Sequence, residues 1–139
     1  QATADPTIIT ELQSTHGIET ITLAGYWFGG KITVLAGSDP TLTPSLRSIT
    51  RVRFCCPLRV PLLFLNTELD TTFTPADRAA AFAALEKNMA EGFAFDVVDF
   101  EGVKHGFATC RDVTEERSLE DMRDVFSKSL EWIAMFAKE

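Results

Sequence analysis

Basic charge is scarce in this 139-residue chain: 13 lysines and arginines stand against 20 aspartates and glutamates, a formal net charge of −7. That balance disfavours nucleic acid and anionic membrane surfaces as partners. The arginines that do cluster, Arg47, Arg51, Arg53 and Arg59, form only a small group. Long apolar runs are missing too, so no segment is expected to span a bilayer. Cysteine is rare. Cys55, Cys56 and Cys110 make an odd count, and adjacent cysteines rarely bridge each other, so all three read as reduced packing residues of a cytoplasmic protein. His16 and His105 lie far apart with no C-x-x-C companion. No metal spacing results, and no cofactor is expected. The chain opens on glutamine with no charged-then-apolar leader, and reads as processed or cut from something longer.

What remains is an ordinary globular composition, 45% hydrophobic and 24% charged, long enough for one core. Residues 1–139 read as a single domain, without internal repeats or low-complexity tracts. Asp5 and Pro6 give an N-cap and first helical position for "TIITELQSTH", which Gly17 ends. "ETITLAGY" suits a strand buried on both faces, and "KITVLAG" a helix stopping at Gly37. Asp39 to Pro57 carries three prolines and reads as an irregular connection, with "RVRFCC" as a possible short strand. "VPLLFLN" is a clear buried strand. Thr74, Pro75 and Asp77 form a helix entrance, with Phe82, Leu85 and Met89 marking the core face beyond it. "FAFDVVDF" gives a strand nearer a sheet edge, followed by the loop "EGVKHGFATCRD". From about Glu115 a long helix places Leu119, Met122, Phe126, Leu130, Ile133 and Phe136 at helical intervals. Strands alternating with helices imply an α/β fold, a parallel sheet with helices on both faces.

Ligands of such sheets gather at the carboxyl ends of the strands. Three residues there could carry chemistry: Trp27 in "GYWFGGK", Asp70 in "ELDTTFTPADR" and His105 in "GVKHGFA". Gly25-Tyr26-Trp27-Phe28-Gly29 has the spacing of a nucleophile elbow, and elbow, acid, histidine is the chain order of that hydrolase architecture. Each also has a plainer reading. Asp70 alone fits a turn before a helix, His105 a solvated loop, and the glycines a tight strand-to-helix turn. Order and position together favour a triad scaffold.

These three segments resemble those of the dienelactone hydrolase family of α/β-hydrolases. The likeness runs from the helix before the elbow to the terminal helix and is weakest between Asp39 and Pro57. The resemblance implies ester or lactone hydrolysis, with position 27 as nucleophile, Asp70 as acid, His105 as base and the backbone N–H of Phe28 in the oxyanion hole. Two departures stand out. Where the family has cysteine or serine, Trp27 offers only an indole N–H donor, and losing a triad nucleophile removes on the order of a million-fold in turnover. The resemblance begins at the helix before the elbow, so only the family's C-terminal portion is expected here, without the further strands of its N-terminal half. The exposed sheet edge then needs a cover, and a homo-oligomer or a complementing chain is expected.

Two further readings follow. His105 and Asp70 could serve as an acid–base pair for a non-hydrolytic reaction on an unsaturated ligand. Alternatively the domain is a non-catalytic pseudoenzyme binding a small molecule or a protein, with Tyr26, Trp27, Phe28 and Phe107 as an aromatic pocket; plain core packing is the simpler account of Phe28 and Phe107. Cys110, in the same loop as His105, is an alternative nucleophile or merely a packed thiol.

Overall fold

The apolar run from Val60 becomes an inner strand, buried because its alternate side chains meet helices on opposite faces. The computed structural model describes residues 6–42, 46–50, 60–89, 94–109 and 116–136. Its elements are α1 (Pro6–His16), β1 (Ile21–Ala24), α2 (Phe28–Ser38), β2 (Leu46–Thr50), β3 (Leu62–Leu69), α3 (Pro75–Met89), β4 (Phe95–Lys104) and α4 (Glu116–Phe136). The strands form one four-stranded parallel sheet in the order β1-β2-β3-β4. Among the described residues β1 and β4 are its margins.

Along β3 the side chains divide by parity. Leu62 and Phe64 join a cluster with Ile9 of α1, Val34 and Ala36 of α2, and Ala81 and Leu85 of α3. Leu63 and Leu65 join the other, with Phe100, Phe107, and Val125 and Trp132 of α4. Phe64, 1% exposed, stacks on Phe73 and meets Phe82 edge-on. Truncating it to alanine would cost about 3–5 kcal/mol.

Local sequence explains the helix ends. Gly17 takes φ 64, which glycine tolerates best, and the Gly17 and Ile18 N–H groups donate to the carbonyls of Gln13 and Leu12 at 3.1 Å each. α3 begins in a reciprocal box: Asp77 Oδ2 accepts the Thr74 N–H and hydroxyl at 3.0 and 2.8 Å, while Thr74 Oγ1 accepts the Asp77 N–H at 3.3 Å. The Asp5 cap lies outside the described residues.

Several expectations are corrected. Leu46–Thr50 is a strand, not irregular connection; its "LRSIT" is too short and polar to announce one. The strand expected over "RVRFCC" lies outside the described residues. β1 is half-buried rather than buried on both faces, because nothing among the described residues pairs with its outer side. α2 starts at Phe28, earlier than "KITVLAG", and runs one residue past Gly37. β4 is marginal among the described residues, as expected, but continues through "EGVK". On α4 the buried side is Val125, Ser129 and Trp132, whereas Phe126 and Leu130 are 62% and 49% exposed. Counting apolar residues alone rotated the predicted face by about one position. No described helix is long and apolar enough to cross a membrane.

Candidate active site

The carboxyl ends of β1, β3 and β4 deliver three side chains to one rim. Leu69 pairs with Lys104, so the next residues along, Asp70 and His105, emerge side by side. This register needs an adjustment. Between Thr67↔Phe100 and Leu69↔Lys104, β3 advances two residues and β4 four, a bulge that re-aims the strand end. Gly102 within it has φ 69, and its N–H donates to Glu68 Oε2 at 2.8 Å. Arg78 of α3 fastens the same end of β3, donating to the Thr67 and Glu68 carbonyls at 3.1 and 3.3 Å.

Asp70 is 4% exposed. Its Oδ1 accepts the Thr72 N–H at 2.8 Å, the Thr72 hydroxyl at 2.7 Å and the Phe73 N–H at 3.1 Å. Its Oδ2 lies 2.9 Å from His105 Nδ1. Burial pushes the Asp70 carboxyl up, but hydrogen bonds from His105 and Thr72 and the attraction of the imidazole outweigh it, holding the pKa down at about 2. Ionised at neutral pH, the carboxylate only accepts, so Nδ1 carries the proton and Nε2 is left as the acceptor of the neutral ring. Thr72 Oγ1 is also 3.1 Å from Nδ1.

Trp27 stands at the elbow with φ 53 and ψ −121. For a bulky residue this sparsely populated region costs about 1–3 kcal/mol. The turn around it is tight: a Cβ on Gly25 would lie 2.3 Å from the Gly29 carbonyl oxygen. The indole, 50% exposed, meets the His105 ring edge-on with centroids 5.3 Å apart, and its Nε1–H donates to Thr109 Oγ1 at 3.2 Å. Beneath it, Gly106 at φ +87 leaves room that a Cβ would take, 3.0 Å from Trp27 Cζ2. The indole thus fills the space between elbow and imidazole.

Phe28 opens α2, and its N–H is among the first-turn donors a helix leaves without an internal acceptor. Its side chain is 62% exposed, contrary to a core role, whereas Phe107 is buried and tilts against Phe100. Tyr26 and Phe107 share a small cleft of about 10 Å³ with Gly25, Leu65, Val125 and Ser129, space for a water but no more. Trp27 and Phe28 do not line it. Cys110, like Cys55 and Cys56, lies outside the described residues. Among the described residues no group of acidic, histidine or cysteine side chains could hold a metal.

Sequence reading passed over Thr72, Arg78, Gly102 and Thr109. A hydroxyl two residues after a turn aspartate was the available signal for Thr72; the other three depend on contacts across strands and loops.

No family model and no curated sequence matches the chain. Solved structures do. The fold is similar to that of a protein designated a dienelactone hydrolase from Klebsiella pneumoniae subsp. pneumoniae, with a TM-score of 0.72 at 18% identity over 98% of this chain and 60% of that one. It is similar as well to MGS-M1, an α/β hydrolase from a Medee basin deep-sea metagenome, with a TM-score of 0.67 at 14% identity over 92% and 61% of the two chains. Native esterase 2 of Thermogutta terrifontis gives 0.63 at 14% identity over 96% and 64%. The architecture is that of α/β hydrolases, and the chain spans 60% of the length of the first of them. At such identities the likeness is one of fold, and function has to be argued from the site.

Proposed function

We propose that this chain is an α/β-hydrolase domain of the dienelactone hydrolase type, laid out for ester or lactone hydrolysis and disabled at its nucleophile. One observation carries the reading: the residue at the strained strand-to-helix turn faces a histidine held by a buried aspartate, and that residue is Trp27. A hydroxyl or thiol at position 27 would pass its proton to Nε2 of His105 as its oxygen or sulfur bonded to the acyl carbon. Asp70 would keep the second ring proton on Nδ1, and the Phe28 N–H would face the developing oxyanion. Indole supplies no such nucleophile, and its bulk stands where the acyl group would approach.

The test offers p-nitrophenyl acetate and a dienelactone to the native chain, Trp27→Cys, Trp27→Ser and the double variant Trp27→Cys/His105→Ala. Turnover confined to the single variants at position 27, and abolished by His105→Ala, is the expected result. Hydrolysis by the native chain that survives Trp27→Ala would refute the reading, as would a folded Trp27→Cys protein without turnover.

A second reading is favoured by the 28% exposure of the His105 side chain beside an intact carboxylate partner. Here His105 and Asp70 act as a general acid–base pair on a small unsaturated ligand, with Trp27 as an aromatic wall. Proton exchange catalysed by the native chain on an α,β-unsaturated ester or lactone, and lost in His105→Ala, would distinguish it from hydrolysis. A non-catalytic binding role, the remaining reading, predicts saturable quenching of Trp27 fluorescence with no turnover in any variant.

A further inference from the structure

Thr72 stands where the geometry allows its hydroxyl only one arrangement. It carries a single proton, and its nearest acceptor is Asp70 Oδ1 at 2.7 Å. With that proton committed to an ionised carboxylate, the oxygen turns its lone pairs outward. One of them lies 3.1 Å from His105 Nδ1. Were Nδ1 unprotonated, it would confront the Asp70 Oδ2 lone pairs at 2.9 Å, acceptor against acceptor. With Nδ1 protonated, every contact becomes a donor–acceptor pair. The N–H then has two acceptors, Asp70 Oδ2 and Thr72 Oγ1. The three groups close a ring in which Asp70 holds Thr72 and both hold the imidazole.

Thr72 is itself fixed, because its backbone N–H donates to the same Asp70 Oδ1 at 2.8 Å. The hydroxyl therefore has a defined position from which to resist rotation of the imidazole. The Trp27 indole meets the ring edge-on, 5.3 Å between centroids, and gives its own N–H to Thr109 rather than to the histidine. Among the described residues, the hydrogen bonds that orient the ring are those with Asp70 and Thr72.

We infer that Thr72 is a positioning residue for His105: its hydroxyl, anchored on Asp70, is a second acceptor for Nδ1–H that locks the imidazole in the tautomer and orientation leaving Nε2 free. This rests on the proposal that His105 is the working base of the site, but it is measured without any turnover. The full chain, ¹⁵N-labelled at histidine, is observed by NMR at about pH 8, where imidazole is ordinarily neutral. Expected are an Nδ1-protonated His105 and a slowly exchanging Nδ1–H in the native protein and in Thr72→Ser. In Thr72→Val and Thr72→Ala, exchange with water becomes roughly five-fold faster, the factor one neutral hydrogen bond contributes. Thr71→Val, which removes the neighbouring exposed hydroxyl, leaves the signal as in the native chain.

Native exchange rates in both the Val and Ala variants would overturn the inference, showing that Asp70 suffices. A Thr72→Ser protein as fast as Thr72→Val would overturn it too, and so would unfolding of both Val and Ala variants, which would make Thr72 structural. Absence of esterase activity in Trp27→Cys would count against the proposed function alone.

Discussion

Replacing Asp70 by asparagine isolates the charge on which the candidate site rests. The substitution keeps size and leaves Oδ1 able to accept from Thr72 and Phe73. It turns the other end from acceptor to donor, against the Nδ1–H of His105. The ring must then tolerate two donors face to face or move its proton to Nε2, losing the free acceptor beside Trp27. The energetic scale follows from the carboxyl itself. Held at about 2 instead of 3.8, it favours the folded state by about 2 kcal/mol when both states are ionised. Its side chain is only 1% exposed, so solvent screening takes little away. The folded value lies below the unfolded one. This contribution is therefore complete above about pH 4 and is lost as pH falls through about 2. Urea denaturation followed by circular dichroism, native against Asp70→Asn, should give a gap of about 2–3 kcal/mol at pH 7 that narrows steadily between about pH 4 and pH 2. In thermal melts the neutral-pH gap corresponds to roughly 6–12 °C. Comparison at each pH cancels the other carboxylates. A gap below about 0.5 kcal/mol at pH 7, or one that stays constant down to about pH 2, would refute the assignment of Asp70 as a buried, ionised partner of His105.

The two outer elbow glycines should behave oppositely. Gly25→Ala forces a Cβ to within 2.3 Å of backbone and should cost more than about 2 kcal/mol in denaturant unfolding; Gly29→Ala meets nothing within 4 Å inside α2 and should gain about 0.5–1 kcal/mol. Breaking the α3 cap with Asp77→Ala should cost about 1 kcal/mol by the same measurement, and a neutral result would deny the box any role. We also propose that the side of β1 with no strand beside it among the described residues, and the exposed Phe126, Leu130 and Met135 of α4, are covered by self-association. Sedimentation should then find dimers or larger species at micromolar concentration, and a clean monomer would refute this.

Legibility in the sequence followed the locality of the signals. Buried parallel strands announce themselves by composition, which is why β3 was plain at "VPLLFLN", and Thr74, Pro75 and Asp77 marked the α3 entrance by short-range chemistry. β2 was invisible because five residues with an arginine and a serine carry neither period nor apolar weight. The face of α4 was misjudged because Ser129 and Trp132 are buried there while Phe126 is exposed, a choice made by what α4 packs on rather than by its own composition. At the site, Trp27, Asp70 and His105 could be named from order and strand-end position. Their juxtaposition depends on a strand register, and the support from Thr72 and Arg78 on contacts made only after folding.

The extra residues in β4 have a consequence for how reach between the two ionisable groups is adjusted. Asp70 extends from an inner strand clamped by neighbours on either side, so its location is inherited from the core. His105 follows β4, whose two extra residues are taken up at the bulge around Gly102, where Val103 is 1% exposed and packed in the core. Both groups are thus tied to the core, the acid through its own strand and the histidine through the bulge before it. Deleting one of the extra residues would turn the side chains beyond it to the other face and carry His105 away from Asp70.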